Sequence, residues 1–464
     1  MYYENETICA ISTAKGIGAI AIIRITGEKS FEIAEKILLQ KDFFSKLEEK
    51  KILFCEIIDI NNNILDDVLI VKFKTPASFT GENMVEIYCH GSEYIQQKIL
   101  ELLIKNGASL AKAGEFSQRA FLNGKIDLSQ AEAISDLISS QTAAAHKQAI
   151  NQMKGNFKKE LQTIRENLLN FVSLLELELD FSEEDVEFAD RTNLLHYAKQ
   201  ISTKIKKLSN SFKVGNVIKN GISVTIAGKT NVGKSTLLNI LLNEEKAIVS
   251  DVHGTTRDSI EDSIVIDGIC FRFVDTAGIR KTNDIIENLG IERTYNKIKN
   301  SEIILLLIDI NEEIQNIENF VLEQSQIIDT ENKTLYYVFN KIDLANIEKQ
   351  KTIRKLEFLK DNNLIFISAK DNKIENLLEE IIKIAKDIQN NDSDIIITNV
   401  RHYESLIKSN KSMERVISGL ENNISSDFLS QDIREIMHYL GEITGEFSND
   451  EILGNIFKNF CIGK

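Results

Sequence analysis

The spacing of apolar positions changes character along the chain, and the changes divide it. From the N-terminus to about residue 115, short apolar runs alternate with amphipathic stretches. Ala19 to Ile25, Val68 to Phe73 and Met84 to Cys89 are predicted strands, and Ser30 to Leu39 and Tyr94 to Asn106 predicted helices, which makes an α/β domain. A helix is predicted from Gly114 to Leu122, closed by Asn123-Gly124, and another begins after Asp127, a capping carboxylate. From about 128 to 212 glycine almost disappears and the spacing becomes that of long helices. Strands return at 222–227, 259–266, 269–275, 302–309, 334–339 and 363–368, with helices after the first and near 288–300, 312–328, 345–361 and 374–388. That alternation predicts a doubly wound, mostly parallel sheet; Asp267-Gly268 predicts a hairpin and one antiparallel edge. Helices resume at Tyr403 to Leu420 and Ser430 to Thr444. The sheet domain between them reads as an insertion in one helical bundle, and four consecutive domains would give the same pattern. The expected class is multidomain, α/β plus all-α.

With 464 residues there is room for two to four cores. A formal net charge of −15 argues against coating nucleic acid by bulk electrostatics while leaving room for a local basic groove. The five cysteines, at 9, 55, 89, 270 and 461, form no C-x-x-C pair, which suits a reducing compartment and offers neither disulfide framework nor zinc knuckle. No basic stretch leads into an apolar run at the N-terminus, and Ile303 to Ile308 is too short to span a bilayer. A cytoplasmic protein without membrane contact is expected. Glu176 to Asp190 carries eight carboxylates and no basic residue; it reads as a solvated helix end and loop, with a paired-carboxylate site as the alternative.

The chemistry concentrates around ISVTIAGKTNVGKS, residues 222–235. An apolar strand runs into Gly228-Lys229-Thr230-Asn231-Val232-Gly233-Lys234-Ser235, the phosphate loop G-x-x-x-x-G-K-S, and a helix begins near Lys234. The glycines let successive N–H groups face a phosphate at the positive end of that helix. Lys234 is expected to reach the β and γ phosphates and the Ser235 hydroxyl to ligate magnesium, with Thr236 beside it. Asp275-Thr276-Ala277-Gly278 follows a strand as a second phosphate-sensing motif. Asp275 would hold a magnesium-bound water, and the Gly278 N–H would reach the γ-phosphate. In Ser250-Asp251-Val252-His253-Gly254-Thr255-Thr256, a threonine offers a further magnesium ligand, and Thr256 is preferred over Thr255.

Base choice rests on Asn340-Lys341-Ile342-Asp343. A carboxylate at Asp343 accepts from guanine N1–H and the exocyclic amine, whereas adenine would leave it unsatisfied. The stem of Lys341 would lie along the base, and a backbone N–H of Ser368-Ala369-Lys370 would meet the guanine carbonyl. Four motifs in this order predict GTP binding. Ile279, where Ras-like switches carry a glutamine, cannot hold the attacking water. Asn231 either braces the loop or offers a carbonyl to a monovalent cation beside the phosphates. Asp284 and Glu287 are acids that either orient water or only begin a helix.

GKTNVGKS (228–235), VHGTTRD (252–258), DTAGIR (275–280), NKID (340–343) and SAK (368–370) are shared by many GTPases. GEFSQRAFLNGKIDLSQAEA (114–133) and the terminal CIGK (461–464) are more specific. Together they make the chain resemble, over nearly its whole length, the tRNA uridine-modifying GTPase family, which acts with a flavin-dependent enzyme on wobble uridine. The resemblance implies an N-terminal folate-binding and dimerising domain over 1–120, a helical domain from 121–216 and 386–464, and an inserted Ras-like G domain over 217–385. It implies a homodimer, a heterotetramer with the flavin enzyme, tRNA as substrate, and potassium-dependent pairing of G domains. By the same resemblance Asn231, Ser250, Val252 and Thr255 hold potassium, Ser235 and Thr256 magnesium, and Glu287 positions water. Arg24, Glu86, Lys125 and Lys464 would hold 5-formyl- or methylene-tetrahydrofolate, with Cys461 near its one-carbon group or merely packed. The Arg and Lys cations suit folate carboxylates, and Glu86 suits N–H groups of a pterin edge. Two departures stand out: Ser12 to Gly18 lacks the family's prolines and arginine, and Thr230 replaces a common proline. The rival readings are a ribosome-assembly GTPase, which would carry a basic RNA-binding domain, and a folate-dependent aminomethyl transferase working without a flavin partner.

Overall fold

The computed structural model describes residues 6–180, 191–243, 248–249, 262–273, 301–328, 333–360, 362–389, 395–447, 450–458, 460 and 463. The chain forms two compact units, one comprising Met1–Ile138, Ala149–Ser202 and Ser405–Lys464, the other Ser139–Gln148 and Thr203–Glu404.

In the first unit, β1 (Ile8–Ile11), β2 (Ile20–Thr26), β3 (Ile52–Ile58), β4 (Ile64–Phe73), β5 (Met84–His90) and β6 (Ser109–Leu110) form one sheet in the order β3-β4-β5-β2-β1-β6. All its pairs are antiparallel except β1 with β6. Strand side chains alternate between faces. Ile23, Ile25, Val85, Ile87, Val68 and Ile70 therefore point inward with Ile33, Ile99 and Leu103 from helices Ser30–Lys36 and Glu93–Lys105, while Arg24, Glu86 and Tyr88 point outward. Two predictions need correction. Strands β1 and β3 were not expected, and the helix over Ser30 to Leu39 stops at Lys36, because Leu38 turns to bridge Ile57.

Asp127 does cap the next helix: its carboxylate accepts from the Gln130 amide at 2.8 Å and the Ser129 hydroxyl at 2.7 Å, opening Leu128–Ser139. The long helices Asn156–Asp180 and Ser426–Thr444 pack against each other. One buries Leu161, Ile164, Leu168, Phe171 and Leu175, the other Leu429, Ile433, Ile436, Leu440 and Ile443. Both series step by threes and fours, the spacing of a coiled-coil seam. The last helix, Asp450–Phe457, sets Leu453 and Phe457 against Leu128 and Ala131.

The second unit holds β7 (Ile222–Gly228), β8 (Ile248–Val249), β9 (Asp262–Ile266), β10 (Ile269–Phe273), β11 (Ile303–Asp309), β12 (Thr334–Asn340) and β13 (Asn363–Phe366), ordered β13-β12-β11-β7-β10-β9-β8. β7 and β10–β13 run parallel, and β9 alone is reversed, pairing antiparallel with both β10 and β8. The hairpin forms as the sequence suggests: Asp267 and Gly268 both take positive φ, 51° and 77°, as a two-residue turn requires. Leu237, Leu238 and Leu241 of helix Lys234–Asn243 and Leu377, Ile381 and Ala385 of helix Glu375–Gln389 cover one face. Ile317 and Val321 of helix Ile314–Ile327 cover the other. The helix expected over 345–361 is broken into a helix at Ile347–Ile353 and a single 3-10 turn at Glu357–Leu359, and a further 3-10 turn, Ile342–Leu344, precedes them. Helix 288–300 lies outside the described residues, as does the segment 259–261 of one expected strand.

Candidate functional site

β7 has β10 on one side and β11 on the other, so the chain reverses its direction of travel across the sheet beside it. Ligand crevices of open α/β sheets form at such points, outside the carboxyl ends of the strands. The phosphate loop leaves β7 there. Gly228 has φ 145° and a Cβ on it would lie 2.4 Å from the Leu307 carbonyl; Gly233 has φ 101° and its Cβ would lie 2.3 Å from Asn340 Nδ2. Both positions therefore demand glycine. Asn231, exposed at the loop, sits in the left-handed region at φ 60°. Lys234 Nζ curls back to donate to the Gly228 and Lys229 carbonyls at 2.7 and 2.5 Å, and burial pushes its pKa down. A half-buried ammonium held, among the described residues, by carbonyl dipoles gains most from a nearby anion. Ser235 and Thr236 open the helix, and Val232 is buried beneath the loop.

Asn340, 2 % exposed, ends β12 and ties two loops together. Its Nδ2 donates to the Val232 carbonyl at 2.8 Å and its Oδ1 accepts from the Ala369 amide at 2.9 Å. Asp343 is exposed, with Oδ1 held by the hydroxyl of fully buried Ser368 at 2.7 Å. Lys341 Nζ reaches Asp309 at 2.8 Å, which lays the lysine stem across the ends of β11 and β12. Burial works against the Asp309 charge, but Lys341 and Asn311 hold its carboxyl below the usual range. Lys370 is exposed on the following turn. Asp309 had not been singled out from sequence, although a carboxylate ending the apolar run IILLLID marks a strand's ligand-side end.

Ser250, Asp251, Val252, His253, Gly254, Thr255, Thr256, Asp275, Thr276, Ala277, Gly278, Glu287, Cys461 and Lys464 lie outside the described residues. The oxygen donors described beside the loop, the Ser235 hydroxyl and the Asn231 amide, suit hard cations. Among the described residues no cluster of three His, Cys, Asp or Glu could hold a metal ion by itself, and no helix is long and apolar enough to cross a membrane.

In the first unit the structure brings together Arg24 and Glu86, directly opposed on β2 and β5. Arg24 Nε donates to Glu86 Oε1 at 2.8 Å, and the Tyr88 hydroxyl donates to Oε2 at 2.6 Å. The Arg24 guanidinium lies 5.8 Å from the Phe79 ring centroid. Near the C-terminus the Gly463 carbonyl accepts from the Ser12 hydroxyl at 3.0 Å and from Arg24 Nη1 at 3.4 Å. A Cβ on Gly463 would meet the Ile11 carbonyl at 2.5 Å, so glycine lets the tail lie against β1. Lys125 is exposed and donates to the Pro76 carbonyl at 2.9 Å, on the same loop that carries Phe79. Tyr88, Phe79 and Ser12 were not picked out from sequence. For Tyr88 the signal was present, since it lies two residues from Glu86 and shares its face.

A strand, phosphate loop and helix, with further loops at the carboxyl ends of a parallel sheet, define a P-loop GTPase domain, here within a multidomain α/β plus all-α chain. Residues 7–125 match the family described as GTP-binding protein TrmE N-terminus, and residues 128–461 match the MnmE helical domain. The tRNA modification GTPase MnmE of Bacteroides fragilis is 52% identical over 99% of this chain and 100% of its own length. That of Flavobacterium johnsoniae is 49% identical over the same shares. A solved structure of Aquifex aeolicus Era with GDP and aluminium fluoride is 27% identical over 41% of this chain and 66% of its own, with a TM-score of 0.26. The chain belongs to the MnmE family of tRNA modification GTPases.

Proposed function

We propose that this protein is a GTP-driven switch that, with a flavin-dependent partner, installs an aminomethyl or carboxymethylaminomethyl group at C5 of the wobble uridine of certain tRNAs. As a member of its family it hydrolyses GTP and serves wobble-uridine modification; the assignment of residues, cations, folate and partner is our reading. The observation that carries it is the Asn340 side chain, which joins the phosphate loop at Val232 to the base loop at Ala369 in one hydrogen-bonded unit. In this reading N–H groups of residues 231–236 hold the phosphates at a helix N-terminus and Lys234 turns from its carbonyl acceptors to the β and γ oxygens. Asp343, oriented by Ser368, accepts from the guanine N1–H and amine, and the Lys341 stem covers the base.

Magnesium, held by Ser235 and Thr256, and potassium, held by Asn231, Ser250, Val252 and Thr255, would place positive charge beside the phosphates. Glu287 orients water where Ile279 offers no polar group. Two chains pair through residues 1–120 and their G domains, 217–385, close on one another. The dimer binds two copies of the flavin enzyme, and Arg24, Glu86, Lys125 and Lys464 hold a reduced folate with Cys461 nearby.

GTP turnover in potassium against sodium at matched ionic strength tests the cation assignment. A strong potassium preference that disappears in Asn231→Ala is expected, and equal rates in the two salts would sink it. Glu287→Ala should keep GTP affinity and lose turnover; unchanged turnover removes that acid from water activation. At the level of the cell, deletion should strip wobble uridines of the C5 group.

A further inference from the structure

The geometry points to Tyr88 as a positioning residue. With Arg24 it fixes the Glu86 carboxylate in one orientation on the outward face of the sheet, presented to a ligand edge bearing adjacent N–H donors. The inference deepens the folate reading and rests on it: the 2-amino-4-oxo edge of a reduced pterin carries such a pair of donors.

A glutamate on an exposed strand face ordinarily samples several rotamers, and a ligand that uses it must first order it. Glu86 is instead held from both sides. Arg24 engages Oε1 at 2.8 Å from the facing strand, and Tyr88 engages Oε2 at 2.6 Å from two residues along its own strand. Each carboxylate oxygen has two lone pairs, so one remains on each for paired donors from a ligand. Glu86 is buried with its side chain only 9% exposed, which makes its charge costly unless these partners stay in place.

Tyr88 stands directly opposite Ile22 on one flanking strand and Leu69 on the other, apolar cross-strand neighbours that phenylalanine suits equally well. The hydroxyl is thus separable from the packing, and its acceptor is Glu86. Burial, reinforced by the bond and charge of Glu86, pushes the Tyr88 phenol up to about 12, so it remains a donor throughout the neutral range.

Calorimetric binding of 5-formyl-tetrahydrofolate and of its 2-desamino analogue to the full-length protein tests this. Wild type should favour the amino compound. Tyr88→Phe should weaken 5-formyl-tetrahydrofolate about 10-fold, the scale of one charge-assisted hydrogen bond, and leave the analogue nearly unchanged, so that discrimination collapses. Glu86→Gln should lose that discrimination too, and the double variant Glu86→Gln/Tyr88→Phe should lose no more than Glu86→Gln alone, because Tyr88 acts through Glu86. Retained discrimination in Tyr88→Phe, an equal loss for both ligands, or additive losses in the double variant overturns the proposal. Wild type that binds neither compound overturns the folate reading itself, and that result is visible before any substitution is made.

Discussion

Asn340 belongs to the motif from which guanine recognition was read, yet both ends of its amide are occupied by backbone of two other loops. Truncation to alanine orphans the Val232 carbonyl and the Ala369 N–H in a site only 2 % exposed at Asn340, at about 1–3 kcal/mol for each group. Asn340→Ala should therefore lower stability to urea by about 3 kcal/mol and weaken GTP and GDP in parallel. A variant of native stability with altered GTP affinity alone would contradict the bracing role. His90 offers a residue-level test in the other unit. Its Nδ1 lies 2.6 Å from Asp66, whose side chain is 6% exposed, and the Asp66 hydrogen bond and charge raise the imidazole above its ordinary pKa. A raised native pKa means the folded state binds the proton more tightly. The stabilisation is full below the unfolded pKa of about 6.5 and is lost as pH rises through the native value. Proton NMR should show His90 titrating at higher pH in wild type than in Asp66→Asn; equal titration in the two would reject the pair.

At the scale of elements, two glycines of the second unit, Gly228 where β7 passes into the phosphate loop and Gly268 in the β9–β10 turn, both take positive φ but have surroundings that differ in kind. Against Gly228 stands the backbone carbonyl of Leu307, part of the parallel pair of β7 with β11, which cannot swing aside. Gly268 also has positive φ, at 77°, but nothing lies within 4 Å of a Cβ there. Gly268→Ala should cost about 1–2 kcal/mol, the ordinary penalty of a left-handed residue. Gly228→Ala should cost clearly more in thermal unfolding and abolish GTP binding; similar costs for the two would show that the sheet yields at Leu307. The same element shows what sequence conveys. Strand, loop and helix were legible because a fully apolar strand, a glycine loop and a helix start follow one another without interruption. β3 was not, because ILFCEII carries Ile52 and Phe54 on its solvent face, so hydrophobicity gives no period of two. The helix expected over 345–361 failed for a related reason: Ile353, Leu356 and Leu359 have helical spacing, but Leu356 is extended, so the helix Ile347–Ile353 buries Ile353 and a separate 3-10 turn buries Leu359. Motifs named the candidate residues. Their partners differ in legibility: Tyr88 stands two residues from Glu86 on the same strand face, a local sign, whereas the meeting of Asp309 with Lys341 depends on β11 lying beside β12, which no local pattern fixes by itself.

For the whole molecule the governing quantity is charge. The chain carries 55 basic and 70 acidic residues, a formal net charge of −15, and belongs to a family whose substrate is itself a polyanion. Binding of nucleic acid by released counterions needs a dense set of lysines and arginines on the phosphates, and each such contact steepens the fall of affinity with salt. An acidic chain meets tRNA against its own long-range field. With the flavin-dependent partner proposed above beside it, the tRNA backbone would be held mainly by that partner, and GTP-driven motion would be this protein's contribution. Electrophoretic mobility shifts at several salt concentrations separate the two shares. This protein alone should bind tRNA no tighter than about 1–10 µM near physiological salt, with a log–log slope no steeper than about −2. Adding the partner should tighten binding at least 10-fold and steepen the slope. Tight, steeply salt-dependent binding by the isolated chain would instead place a concentrated basic groove on this protein, and the division of labour between fuel-burning switch and tRNA holder would have to be redrawn.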